Sequence, residues 1–488
     1  MGLLPLFVAI PLFSALVLGF IEHKKWIIHT LVMLTTSALV ILAFATPLQR
    51  GFYFVGGYHP FVGITLMLDP LNRLLLIVVQ ILVFVASWYS IGYMEKYTAK
   101  SRYFSFVFLM LAGMNGIVIT ADFFNLYVYM EIATIASYAL VAYGGKAHEL
   151  EASFKYLVLG SISSLFILLG IALIYSQTAA LNMMLVAQRL DVTNPITWLI
   201  ITVFAAGFGL KSALFPFHSW LPDAHSSAPA PVSAILSGVL IKVVGIYVLL
   251  RFFFNIIGID QAPLTLIAWL GALSSLIGVL LAMGQHDFKR LLACHSVSQV
   301  GYIFIGIGLG TPLGLIGALL HIVNHSAFKS LLFLSAGSVE HATGERNFHS
   351  MGGLAKVMPW TNAASFIGFT SIGGVPPLNG FWSKLILIIA CVASGQWILG
   401  LIIVIVAIMT LTLFPKIQKY VFLGDLPSKF QKVKESPWSM IFPMLILCFF
   451  CITLGALIVV PVLRETYFLP AVQALLSGKW LGVFQSAP

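Results

Sequence analysis

Five ionisable side chains interrupt segments of this chain that are otherwise apolar. Four are lysines, Lys211, Lys242, Lys329 and Lys384, and the fifth is Glu131 in YVYMEIATIASYAL. A charge at the centre of a bilayer costs about 2.5–3.5 kcal/mol on insertion scales, so such residues face a protein interior, form pairs or contact water. One glutamate cannot neutralise four lysines, and a desolvated lysine can release its proton near neutral pH. This surplus predicts a proton relay through Glu131, Lys211 and Lys242 rather than a set of structural ion pairs. For Lys329, snorkelling toward a helix end is a strong alternative.

Histidines near these lysines add groups that titrate close to neutral pH and can pass protons. His218 and His225 lie in FPFHSWLPDAH, His321 and His325 lie four residues apart in HIVNHSAFK, and His295 lies in LLACHSVSQVGY. The i, i+4 pair could alternatively bind haem or a metal ion, but no carboxylate follows at metal-site spacing, so we predict no metal site. Each of these histidines could equally be a hydrogen-bonded core residue.

The composition indicates the medium that surrounds these residues. Of 488 residues, 60% are hydrophobic and only 9% are charged, and the mean hydropathy is +1.02, whereas about 25% charged residues are usual in a soluble domain. The chain is therefore predicted to be an all-α polytopic membrane protein without a soluble domain. Its four cysteines lack iron–sulfur spacing and are predicted to be packing residues.

Apolar runs of bilayer-spanning or nearly spanning length recur along the whole chain. They predict fourteen helices, at approximately 2–20, 26–46, 70–93, 103–120, 123–143, 153–177, 195–215, 229–253, 262–284, 291–309, 314–339, 360–394 (interrupted), 395–415 and 437–463. A glycine- and aromatic-rich stretch between the second and third helices is predicted to form a hairpin. Residues 181–190 are predicted to form a short amphipathic helix on the surface.

Lysine and arginine residues are distributed unevenly over the predicted loops. Of the 26, sixteen follow odd-numbered helices, six follow even-numbered helices, and four are the lysines inside helices. The positive-inside rule then places the odd loops in the cytoplasm and both termini outside. The net charge of +10 thus reflects membrane insertion and requires no nucleic-acid partner.

Two of the lysine-bearing helices also contain a proline break, with lysine and proline in opposite order. Lys211 precedes Pro216 in the seventh helix, whereas Lys384 follows Pro376 and Pro377 in the twelfth. Broken helices survive in a bilayer only where the freed carbonyls line a polar cavity. The opposite order of lysine and proline is expected of an inverted repeat whose functional breaks lie near the midplane of the membrane. The alternative is that the prolines only kink these helices for packing. The predicted division is an N-terminal unit of helices 1–3 (1–102), inverted five-helix repeats of helices 4–8 (103–253) and 9–13 (254–415), and a cytoplasmic loop, helix 14 and tail (416–488).

Five long stretches carry a family resemblance. They are GLKSALFPFHSWLPDAHSSAPAPVSAILSGVLIKVVGIYVLLR, ADFFNLYVYMEIATIASYALVAYGG, QHDFKRLLACHSVSQVGYIFIGIG, HIVNHSAFKSLLFLSAGSVEHATG and GGVPPLNGFWSK. Together they resemble the proton-conducting antiporter-like membrane subunits. That family includes the large subunits of Mrp-type sodium/proton antiporters, the antiporter-like subunits of complex I, and the related subunits of membrane-bound hydrogenases and formate hydrogenlyases.

The resemblance implies a role for each candidate residue. Glu131 matches the fifth-helix glutamate that gates proton uptake and couples neighbouring subunits, and Lys211 matches the seventh-helix lysine that forms a switchable ion pair with it. Lys242 matches the eighth-helix bridging lysine, and Lys384 the twelfth-helix residue at the exit, where some relatives carry glutamate. The remaining candidates belong to two further parts of the proton path. The polar axis that connects the lysines is assigned His295, His321, His325 and Lys329. The uptake side is assigned His218, Asp223 and His225.

Two functions stay open at this stage. PFHSWLPDAHSSAPAP and HSAFKSLLFLSAGSVEHA resemble the hydrogenase and complex I side, and QHDFKRLL resembles the Mrp side. We predict a proton-translocating subunit of a redox-driven pump, with an Mrp-type Na⁺/H⁺ antiporter without a redox partner as the alternative. No cofactor is expected in this chain, and iron–sulfur clusters are expected only in partner subunits. The expected partners are other membrane subunits, H⁺ with or without Na⁺, and the lipids of a prokaryotic-type inner membrane.

Overall fold

The computed structural model describes residues 1–21, 24–47, 50–59, 63–258 and 261–480. Their helices are α1 (Leu6–Gly19), α2 (Lys25–Ala45), α3 (Pro70–Tyr93), α4 (Lys100–Ile119), α5 (Phe123–Val141), α6 (Ala147–Thr178), α7 (Met183–Arg189), α8 (Pro195–Lys211), α9 (Trp220–Ser227), α10 (Ala230–Ile257), α11 (Gln261–Met283), α12 (Phe288–Gly308), α13 (Pro312–Thr343), α14 (Pro359–Gly373), α15 (Asn379–Ala393), α16 (Trp397–Phe422), α17 (Trp438–Val459) and α18 (Leu469–Leu476). Eleven of the described helices are long and apolar enough to cross a membrane, and α1, α8 and α15 are shorter apolar helices. Each of the fourteen predicted segments coincides with one of these helices or, for the twelfth, with α14 and α15. The polytopic all-α fold is therefore confirmed.

The predicted hairpin and the short helix both form. Strands β1 (Gly51–Phe54) and β2 (Thr65–Leu68) pair antiparallel, with Gly51 opposite Leu68; residues 60–62 of the connecting loop lie outside the described ranges. Helix α7 was expected on the surface, but its residues 183–187 are buried because it packs against α6 and the end of α10. The expectation of a surface helix is therefore wrong.

Helix α10 departs from regular α-helical geometry. Wider π-helical turns run over Leu236–Leu240, Lys242–Tyr247 and Arg251–Ile257. Such turns are rare and occur often at functional sites. They place Lys242 on a widened part of a helix that is buried on all sides.

The two five-helix groups share features that fit the predicted inverted repeat. Asp122 caps the start of α5 and pairs with Asn182 after α6, and Asp287 caps the start of α12 and pairs with Asn347 after α13. The long helices between these pairs, α6 and α13, have 32 residues each. The exact division into repeats stays a prediction.

The loops that follow odd-numbered membrane helices meet on one face of the molecule, which we call the odd face. Asp223 bridges Lys155 (3.2 Å) and Arg290 (2.7 Å), and Arg346 pairs with Asp287 (2.8 Å). These residues lie in or next to the connections after helices 5, 7, 9 and 11, so these four connections share one face, as the charge count requires. Which side of the membrane this face occupies stays a prediction.

A histidine pair joins two loops of the odd face. His349 Nε2 lies 2.9 Å from His286 Nδ1, the Phe348 amide donates to the His286 carbonyl (3.1 Å), and the His349 ring lies 4.6 Å from that of Tyr420. Desolvation, and then the nearby His286 and Lys416 charges, lower the pKa of His349 below its usual value. A lowered pKa in the folded state means that this contact is favourable above the unfolded pKa of about 6.5 and is lost as the pH falls through the lower folded value.

We therefore expect hydrogen exchange of the Phe348 amide, corrected for its intrinsic pH dependence, to be faster at pH 5.5 than at pH 7.5. The measurement is hydrogen–deuterium exchange read by mass spectrometry on the peptide that spans residues 345–352. His349→Gln keeps a polar side chain that does not titrate, so its protection should not change over this range. Equal pH dependence in both proteins would contradict the assignment to His349.

Candidate functional site

A line of polar side chains crosses the middle of the fold from α10 to α15. Lys242 Nζ lies 2.6 Å from His325 Nδ1 and also donates to the Ser237 carbonyl. His325 and His321 lie one turn apart on α13, with ring centroids 6.3 Å apart. His321 Nδ1 lies 3.0 Å from Ser383 Oγ, and the residue after Ser383 is Lys384. The structure thus brings together four predicted residues, and we call this line the polar axis.

Lys384 sits at the break between α14 and α15. Gly374 ends α14 in the left-handed conformation (φ 85°), which leaves the last carbonyls of that helix without helical partners. Lys384 Nζ donates to two of them, Ile372 O (2.7 Å) and Gly373 O (3.2 Å). The negative end of a helix favours a cation. The break therefore provides a place for this ammonium inside the membrane part of the fold.

Two further side chains border the axis near Lys384. The Tyr302 ring lies 5.3 Å from the His321 ring and 5.5 Å from Lys384 Nζ. His295 lies to one side, because its Nε2 contacts Thr410 Oγ1 of α16 at 3.1 Å. Sequence reasoning missed Ser383, Tyr302 and Thr410. Ser383 could have been found as the polar neighbour of Lys384 in FWSKL, whereas the other two contacts exist only in the tertiary fold.

Lys329 lies one turn beyond His325 on α13 and is 0% exposed. Its Nζ lies 5.9 Å above the Phe333 ring and has no hydrogen-bond partner among the described residues. The snorkelling alternative is wrong for this residue, because the ammonium lies in the interior rather than at a helix end. Lys329 thus extends the polar axis toward the odd face.

The predicted Glu131–Lys211 ion pair is not formed. Lys211 ends α8, is 4% exposed, and its Nζ has no hydrogen-bond partner within the described ranges. Glu131 is half-buried rather than buried, and its carboxylate accepts a hydrogen bond from Ser164 Oγ of α6 (2.5 Å). The expectation of a buried Glu131 is therefore wrong, and the switchable pair with Lys211 stays a prediction. Ser164 is a contact of Glu131 that sequence reasoning missed.

The three residues assigned to the uptake side fall into different surroundings. His225 is fully buried between the rings of Trp220 and Phe333, each 6.1 Å away, and neither ring nitrogen has a partner in the described chain. Asp223 is held in its two ion pairs and lines a polar cavity of about 560 Å³ on the odd face. His218 is half-buried in the break after α8. Of these three residues, Asp223 lines the cavity, whereas His218 and His225 are not among its lining residues; Ser226, next to His225, also lines it.

Buried charge is more abundant than the five side chains that the sequence singled out. Arg251 was assigned to a loop, but it lies within α10, is 3% exposed, and pairs with the buried Asp69 at 2.6 Å. Lys289, also assigned to a loop, is 2% exposed and lies 3.5 Å from Glu340. Unlike the lysines of the polar axis, these cations have carboxylate partners. Buried charge therefore falls into a paired class and an unpaired class.

We find no candidate metal site among the residues that the structure describes. No group of three or more histidine, cysteine, aspartate or glutamate residues there is arranged to hold a metal ion. Cys294, Cys391, Cys448 and Cys451 are buried free thiols. That this chain holds no cofactor stays a prediction.

Two family profiles match the chain. The profile described as "NADH:quinone oxidoreductase/Mrp antiporter, TM" matches residues 120–410. The profile described as "NADH-Ubiquinone oxidoreductase (complex I), chain 5 N-terminus" matches residues 59–104. The first of these ranges contains the whole polar axis.

Individual relatives come from more than one type of complex. An NADH-quinone oxidoreductase subunit of Desulforudis audaxviator is 35% identical over 476 residues, which cover 92% of this chain and 95% of that protein. A Na⁺/H⁺ antiporter subunit of Alkalihalophilus pseudofirmus is 36% identical over 405 residues, which cover 82% of each. A chain of the Mrp complex from Dietzia sp. has the same fold with a TM-score of 0.90 and 28% identity over 97% of both chains. The chain is thus similar to membrane subunits of several multisubunit complexes.

Proposed function

Because this chain belongs to the NADH:quinone oxidoreductase/Mrp antiporter family of membrane subunits, we propose that it translocates protons within a multisubunit membrane complex. The observation that carries this proposal is the polar axis, which joins Lys242 to Lys384 through histidine and serine side chains. Within the described residues, neither lysine has a carboxylate partner. Each can therefore exchange its proton without breaking an ion pair.

The contacts support a path along which protons could move in either direction. The Lys242 ammonium can give its proton to His325 Nδ1 across 2.6 Å, and Ser383 links His321 to the neighbourhood of Lys384. On the same stretch of α13, His325 Nε2, His321 Nε2 and Asn324 Oδ1 lack partners within the described chain. A buried water needs two to four polar partners, and a water bound by these atoms would satisfy them. Protons would then pass between the histidines by way of such a water.

Glu131 and Lys211 would act as the switch at the other end of the path. Glu131 bound to Ser164 and Lys211 without a partner fit the open state of the ion pair implied by the resemblance. The same face of α5 exposes Phe124, Val128 and Ile135. A neighbouring subunit that packs on this face would contact Glu131, and would close or open the pair by changing how Ser164 holds it.

We further propose that the complex is a redox-driven pump of the membrane-bound hydrogenase or complex I type. The complex I-type relative aligns with 92% of the chain and the antiporter relative with 82%, and the hydrogenase-like stretches of the sequence point the same way. The alternative is the large subunit of an Mrp-type Na⁺/H⁺ antiporter, which the Dietzia fold match favours. In either case the redox centres would belong to partner subunits, and the odd face would lie in the cytoplasm with both termini outside.

Purification of the complex from native membranes in a gentle detergent tests this proposal. We expect redox subunits to co-purify, with several iron atoms per complex, and the complex to acidify or alkalinise vesicles only when its electron donor is supplied. The measurements are mass spectrometry of the subunits, an iron assay and a pH-sensitive dye in reconstituted vesicles. Small hydrophobic partners only, no iron, and Na⁺-dependent proton exchange would replace the redox pump by the Mrp alternative. A complex that moves no protons under either condition would contradict both.

A further inference from the structure

An apolar groove opens between four of the membrane helices. It has a volume of about 260 Å³ and is lined by residues of α2, α3, α13 and α17 and by Leu463 and Tyr467. Its lining is apolar apart from Tyr467 and Ser326, and the Ser326 hydroxyl is already used, because it donates to Gly238 O (2.6 Å). Along α3 the groove extends from Leu74 to Leu82, a rise of about 12 Å. This length is close to the thickness of one leaflet, which is about 15 Å.

Arg73 lies beside the groove, against Phe44 and Tyr467, which line it. Arg73 is 8% exposed, donates to Thr46 O (3.1 Å) and Phe44 O (3.3 Å), and stacks 5.7 Å from the Tyr467 ring. In the described chain no carboxylate pairs with Arg73, because Asp69, one turn earlier, is engaged by Arg251. Because Nε and Nη2 of Arg73 already donate to the Thr46 and Phe44 carbonyls, a phosphate would be held mainly by Nη1, and the positive charge of the guanidinium would favour it.

We propose that this groove binds one acyl chain of an anionic phospholipid whose phosphate is held by Arg73. The groove is too small for a partner helix, whose diameter is about 10–12 Å, but it suits a single hydrocarbon chain. Its inner end is formed by Val323, Ser326 and Ala327 of α13. At about 100° per residue, Val323 and Ala327 lie on the face of α13 opposite His321 and His325, and Ser326 lies between the two faces. The bound chain therefore braces the helix that carries the polar axis.

Binding of phosphatidylglycerol to the delipidated complex tests the site, with native mass spectrometry as the readout. We expect one phosphatidylglycerol to remain at concentrations where phosphatidylcholine has dissociated. Val78→Trp places a ring in the groove and should abolish binding of this one tightly bound phosphatidylglycerol. Arg73→Gln should raise its Kd about tenfold, because a charged hydrogen bond is lost. Ile41→Trp is the matched control, since Ile41 is 69% exposed on α2 outside the groove, and it should bind as the unmodified complex does.

A second measurement uses the unmodified complex, so it does not depend on whether the variants fold. Phosphatidylglycerol with a photoreactive acyl chain should cross-link to peptides of α3, α13 and α17. Cross-links elsewhere, equal binding of both lipids, or a Val78→Trp complex that still retains one tightly bound phosphatidylglycerol would overturn the proposal. Loss of a small partner subunit from Val78→Trp without loss of lipid would overturn it as well, because a partner side chain would then fill the groove. None of these readouts depends on proton transport.

Discussion

Replacing Lys242 by arginine is expected to reduce proton translocation by the assembled complex about 100-fold, the lower end of what a positioned proton-transfer group contributes. Lys242 is 1% exposed and has its Nζ 2.6 Å from His325 Nδ1. Arginine keeps the positive charge but does not release its proton in proteins. The relay therefore stops at the residue that joins α10 to α13, although the charge is retained. The measurement is proton flux in vesicles that contain equal amounts of intact complex.

Methionine at the same position separates three roles of Lys242. Lys242→Met keeps the length and packing of the side chain but removes both charge and proton. A relay role predicts that both variants fail, a purely electrostatic role predicts that only methionine fails, and a packing role predicts that methionine works. Lys434→Arg and Lys434→Met are the matched controls, because Lys434 is exposed, and both should translocate normally. Normal flux in Lys242→Arg would contradict the relay.

The fold could be predicted from the sequence where hydropathy alone decides it. The fourteen apolar segments coincide with the observed helices, and the breaks near Lys211 and Lys384 occur where proline and glycine interrupt them. Hydropathy could not locate the π-helical turns of α10, because a stretch that is apolar on every side has no periodicity to disturb. It also could not predict that α7 would be covered, since burial of a short helix depends on neighbours distant in sequence.

The candidate site could be predicted only as a set of residues. The spacing of His321 and His325 placed them on one face of a helix, and they do face Lys242 and Ser383. The sequence could not show which charged side chains form ion pairs. It counted Arg251 with the loops because that residue lies close to the end of an apolar run, yet the helix continues to Ile257. It also treated Glu131 as buried because its segment is apolar, although the exposed face of α5 includes it.

The Arg251–Asp69 pair shows how a buried charge is satisfied when a carboxylate lies beside it. Arg251 Nη2 lies 2.6 Å from Asp69 Oδ1, and its Nη1 donates to Asn255 Oδ1 at 3.0 Å. Asp69 also accepts the Asn72 amide (2.9 Å), which caps the start of α3. The guanidinium stacks 5.5 Å from the Trp480 ring. This cluster ties the start of α3, the end of α10 and the C-terminal segment together, whereas the lysines of the polar axis tie nothing to a carboxylate.

Arg251→Met is therefore expected to destabilise the protein by about 3–5 kcal/mol, because it leaves the Asp69 carboxylate buried without its partner. Adding Asp69→Asn should recover part of this loss, since asparagine still caps α3 and carries no charge. Arg464→Met is the matched control: its pair with Glu465 spans 3.9 Å, and the two side chains are 41% and 62% exposed, so its cost should be at most about 1 kcal/mol. The measurement is the fraction of intact complex that survives heating, followed by size-exclusion chromatography. Equal midpoints for Arg251→Met and Arg464→Met, or a double variant less stable than Arg251→Met alone, would show that the buried pair does not hold these three elements together.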